Sequence, residues 1–63
     1  MKRRDLLARL DDEGCVLVRT VGRHDFYRNV ITGACQPVPR HREINENTAK
    51  HIIKKLSAPK DGE

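Results

Sequence analysis

Apolar spacing changes period twice along this chain, and that change narrows the folds open to it. Leu6, Leu7 and Leu10 fall at i, i+1 and i+4, one stripe of a helix over residues 4–13 that Gly14 stops. The next stretch, Cys15-Val16-Leu17-Val18-Arg19-Thr20, is β-branched, too short for a helix and bounded by Gly14 and Gly22, so it reads as a strand. A hairpin turn around Val21, Gly22 and Arg23 leads into a second extended run, His24 to Arg28. Asn29 through Gly33 form another turn, and a third run covers residues 34–38. That run contains Pro37 and is followed by Pro39; proline lacks the donor a central strand needs, which places the run at a sheet edge. Helical spacing then returns. Ala49, Ile52, Ile53 and Leu56 recur at i, i+3, i+4 and i+7, with Asn45 as N-cap, Glu46 in the first turn, and Lys54 and Lys55 complementing the far end. The order helix–strand–strand–strand–helix predicts an α+β fold. Its three-stranded antiparallel sheet buries one face under both helices and leaves the other open.

At 63 residues the chain has room for one small domain, expected over residues 1–57, with 58–63 as a flexible tail because Pro59 and Gly62 come without apolar periodicity. A domain this size buries only about 60% of the surface its unfolded chain exposes. The core must therefore use few side chains, and no cofactor-sized cavity is expected. The longest apolar run, Cys15 to Val18, falls far short of the roughly 20 residues that cross a bilayer. With no positive-then-apolar leader, a cytoplasmic location is the expectation. Cys15 and Cys35 lack CxxC or Cys/His ligand spacing, so no metal is expected. On the two outer strands they would lie about 9 to 10 Å apart, beyond disulfide reach, and they read as reduced packing residues.

Formal net charge is +4, and eight of the thirteen basic residues are arginines. Five of these, Arg19, Arg23, Arg28, Arg40 and Arg42, fall between residues 19 and 42, where Asp25 is the only acid. A guanidinium fork matches phosphate oxygens, so this basic middle points to an anionic polymer. Charge alone is equally served by a solvated surface on an ordinary basic protein.

Taken together, several segments resemble the HicA toxins of prokaryotic toxin–antitoxin pairs. They are the short leucine helix ending in Gly14, the run Cys15-Val16-Leu17-Val18-Arg19, the segment Gly22-Arg23-His24-Asp25-Phe26-Tyr27-Arg28, and Val38-Pro39-Arg40-His41 before the last helix. The likeness covers Lys2 to about Leu56. It implies a fold like that of double-stranded-RNA-binding domains, metal-independent cleavage of single-stranded mRNA, growth arrest, and neutralisation by a HicB-like antitoxin. The family's functional histidine follows the first hairpin glycine, the position of His24 here. Many members have Gly-Ser-His or Gly-Gly-His, whereas this chain has Gly22-Arg23-His24, which sets a bulky cation beside the histidine.

The chemistry fits those residue types. RNA carries its own nucleophile, the 2′-hydroxyl, so cleavage needs protons moved and phosphorus charge stabilised. An imidazole with an unperturbed pKa of about 6.5 does the first near neutral pH. Arg23, Arg28 and Arg40 are candidates for the second, and Arg19 and His41 extend the RNA-binding set. Strand alternation allows two registers. With Tyr27 inward, His24, Phe26 and Arg28 face outward together and Phe26 is free to stack on a base; the opposite register buries Phe26. The cost of burying Arg28 favours the first. Other readings stand beside these. His41 either carries a second proton or fixes a loop, His51 is structural or solvated, and the helix lysines form a solvated face. As a whole the chain is read as a ribonuclease toxin that is monomeric when free of its antitoxin, with a noncatalytic RNA-binding module and a toxin that keeps only its protein partner as the alternatives.

Overall fold

The computed structural model describes residues 1–57, so the tail expected at 58–63 lies outside the described residues. Helix α1 spans Arg3–Asp12, strands β1, β2 and β3 span Cys15–Val21, His24–Asn29 and Cys35–Pro39, and helix α2 spans Glu46–Leu56. The strands form an antiparallel sheet in the order β1-β2-β3, the expected α-β-β-β-α architecture. None of these helices is long and apolar enough to cross a membrane.

Local chemistry sets each boundary. Gly14 takes φ +87° and turns the chain out of α1 into β1. Gly22 takes φ +59° while Arg23 keeps a negative φ, the pattern of a two-residue connection with glycine in its first position, so Val21 pairs directly with His24. Asn45 caps α2 by accepting from the backbone N–H groups of Asn47 and Thr48. Pro37 and Pro39 lie in β3, at a sheet edge as their missing donors require.

The core lies between the sheet and both helices. Leu6, Leu10, Cys15, Val38, Ile44, Ala49, Ile52 and Leu56 are buried, with Leu7, Tyr27 and Ile53 packed against them. Burying a leucine, isoleucine or valine contributes about 1.5 to 3 kcal/mol, so the six of these, Leu6, Leu10, Val38, Ile44, Ile52 and Leu56, carry most of the apolar stabilisation. Ile44, on no periodic stripe, is buried because its segment pairs with the start of the chain. Lys2 bridges Glu43, Arg3 N–H donates to the Arg42 carbonyl at 2.8 Å, and Ile44 N–H donates to that of Met1 at 2.8 Å.

Two polar residues share the buried face of β2. Asn29 is fully buried with its amide satisfied: Nδ2 donates to the carbonyls of Glu13 (3.0 Å) and Leu56 (2.6 Å), and Oδ1 accepts from the N–H groups of Ile31 and Thr32. One side chain thereby ties the ends of both helices to the β2–β3 turn. The cysteines correct the sequence reading in part. Both are free, and Cys15 is buried with its thiol pushed up by burial, but Cys35 is exposed and packs nothing. It pairs with Arg28 on the open face, whereas Cys15 pairs with Asn29 on the covered one.

Candidate nucleic-acid interface

The uncovered sheet face is set by the phase of β2. His24, Phe26 and Arg28 point away from the helices, while Asp25, Tyr27 and Asn29 point toward them. Cross-strand partners share a face, giving three rows on the open side: Val21, His24 and Pro39; Arg19, Phe26 and Pro37; Val16, Arg28 and Cys35.

Arg19 reaches this face through an irregularity. Strict alternation from the inward Cys15 would turn Arg19 inward as well. The β1–β2 register skips Val18, a bulge that leaves Leu17 opposite Tyr27 and brings Arg19 opposite Phe26. The Arg19 guanidinium then lies 4.9 Å from the Phe26 ring centroid, within cation–π range. Phe26 is half-buried rather than the free stacking platform expected from the sequence, because Arg19 and its neighbours cover it.

His24 is exposed at the first position after the hairpin turn. Behind it, on the covered face, sits Asp25, only 7% exposed. Its Oδ1 accepts from the Thr20 hydroxyl at 2.7 Å and its Oδ2 from Arg3 Nη2 at 2.6 Å, while Arg40 Nε lies 3.7 Å from Oδ2. Arg3 Nε also donates to the Pro39 carbonyl at 3.0 Å. The Thr20 hydrogen bond, with the charges of Arg40 and Arg3, holds the Asp25 carboxyl below the usual carboxylate range against the opposing effect of burial. This cluster pins the end of β3 and Arg40 beside the start of β2. Arg3, Thr20 and Asp25 are absent from the sequence-derived site; the available signal was Asp25 as the lone acid in a basic segment.

Gly22 and Arg23 of the hairpin turn, with Arg40 and His41 after β3, line a concavity of about 340 Å³. Four of the sequence-predicted residues thus converge, with His24 adjoining: it follows Arg23 in the chain and pairs with Pro39, which precedes Arg40. Its own side chain is not part of that lining. Arg19 and Phe26 form the next row outward. Arg28 is not brought to the same point, since it lies four positions along β2 from His24, about 13 Å of strand, too far to meet the same phosphate.

Of the comparisons with known proteins, one matches. A family model described as HicA toxin of bacterial toxin-antitoxin aligns with residues 3–57, from the first residue of α1 to just past α2. No curated protein and no solved structure matches the chain.

Proposed function

The chain belongs to the HicA toxin family of bacterial toxin–antitoxin systems, and is therefore a toxin with a cognate antitoxin; from that premise we propose that it is an endoribonuclease cleaving single-stranded mRNA in the cytoplasm. The 2′-oxygen attacks the adjacent phosphorus, a P–O2′ bond forms and the P–O5′ bond breaks. His24 carries the proton taken from the 2′-hydroxyl or given to the departing 5′-oxygen, as general acid/base. Arg23 and Arg40 stabilise the charge that builds on the non-bridging oxygens. Arg19 and Phe26 support a neighbouring nucleotide, Arg28 a more distant phosphate, and Gly22 gives the turn its shape. A HicB-like antitoxin neutralises the protein by covering this face.

The observation that carries the reading is the exposed His24 at the start of β2, next to the concavity that Arg23 and Arg40 line: Arg23 precedes it in the chain, and its cross-strand partner Pro39 precedes Arg40. His24→Ala is expected to lower RNA cleavage about 100-fold or more and to abolish growth arrest, with circular dichroism unchanged. Cleavage at the original rate by the folded variant overturns the proposal. The noncatalytic RNA-binding module is favoured by one observation, the position of His24 outside the lining of the concavity. It predicts salt-sensitive binding of a labelled transcript with no fragments at high protein excess.

A further inference from the structure

A second concavity, of about 520 Å³, opens on the other side of Arg40, between the first turn of α1 and the segment joining β3 to α2. The backbone pairing of residues 2–3 with 42–43 builds it, because side chains from both segments converge there. Lys2, Arg3, Arg4, Arg40 and Arg42 supply five cations to its lining. Two of them are paired within the fold, Arg3 with the Asp25 carboxylate at 2.6 Å and Arg40 with the same carboxylate at 3.7 Å, and Glu43 in the lining is held by the N-terminal ammonium at 2.9 Å, so the charge left for a ligand rests mainly on Lys2, Arg4 and Arg42. Arg4 meets Asp5 only at 3.9 Å with both side chains exposed, a contact that contributes little. Lys2 and Arg42 have no ion-pair partner among the described residues.

Cations gathered in a concave surface repel one another, and an anion seated among them offsets that cost. Arg40 lines both concavities, which sets them side by side between the hairpin turn and the start of α1. We propose that this groove binds the sugar–phosphate backbone of the RNA beyond the linkage at His24, giving the protein a preference for longer strands. The inference rests on RNA lying at His24. An acidic protein segment is the less suited occupant, because among the described residues Leu7 is the one large apolar side chain in the groove, and protein interfaces centre on buried aromatic and apolar anchors.

The test is the triple variant Lys2→Gln, Arg4→Gln, Arg42→Gln, made in a His24→Ala background so that RNA stays intact. The three side chains are exposed and the pairing of their segments is through backbone, so the fold is retained, as circular dichroism verifies. Binding of labelled single-stranded RNAs of about ten and about three nucleotides is measured against salt concentration. For the longer RNA, the triple variant should lower the slope of log K against log salt by about 2 and weaken affinity about tenfold or more. Affinity for the shorter RNA should change less than about twofold, since it does not span both concavities. Unchanged slope and affinity for the longer RNA overturn the groove, as does loss of antitoxin binding with RNA binding intact. Failure of the ribonuclease reading is distinct: it appears as absence of fragments with the unsubstituted protein, whatever the binding slopes.

Discussion

Asp25 shows how a single side chain governs the geometry around a histidine it does not touch from the same face. Its carboxylate gathers Thr20, Arg3 and Arg40, and through Arg3 it fixes the Pro39 carbonyl. Because its pKa is depressed in the folded protein, its contribution to stability is complete above about pH 4, the unfolded value, and is lost as pH falls through the lower folded value. Asp25→Asn should therefore melt below the unsubstituted protein at neutral pH, with the two melting curves converging below about pH 4. Thermal unfolding followed across pH checks this. At this scale residue type and charge singled out Gly22, Arg23, Arg40 and His41, which the structure brings to one concavity, whereas His24 was singled out by the family resemblance. The sequence did not show Asp25 as a hub or Arg19 over Phe26, since both depend on partners distant in the chain.

At the level of the element, β1 departs most from its sequence pattern. Val16, Leu17, Val18 and Val21 look like core residues, yet each is about half exposed: Val16 and Val21 point to the open face, Val18 sits in the bulge, and Leu17 lies beyond the Cys15 end that the helices cover. Val18 is the residue the register skips. Deleting it should leave a regular strand in which every remaining residue keeps its partner on β2, Arg19 opposite Phe26 included. Such a variant should fold, with the amide shifts of β2 and β3 little changed by NMR; collapse of the hairpin would refute the assignment of Val18 as the surplus residue. Helix α2 behaved differently. Its 3.6-residue stripe, its Asn45 cap and its charged ends act within a dozen residues of one another, so local rules suffice to draw it.

For the whole molecule, small size sets the margin. Stability of about 0.05 to 0.15 kcal/mol per residue amounts to about 3 to 9 kcal/mol here. Leu56 is fully buried and packs where both the Cys15 thiol and the Asn29 amide meet its carbonyl. Leu56→Ala should cost about 2 to 5 kcal/mol, a large share of the total, and leave a substantial unfolded fraction that urea titration would read as a lower midpoint at the same slope. Apolar periodicity, glycine and proline placement and arginine density were enough to determine the element order, the edge position of β3 and the basic character of the chain's middle, because each acts through neighbouring residues or through net charge. The bulge that presents Arg19, the carboxylate clamp behind His24, the burial of Ile44 and the cationic groove at the start of α1 were decided only when distant segments met. Each arises from a pairing across the chain, and the physical strength of a pair depends on a separation that linear order does not contain.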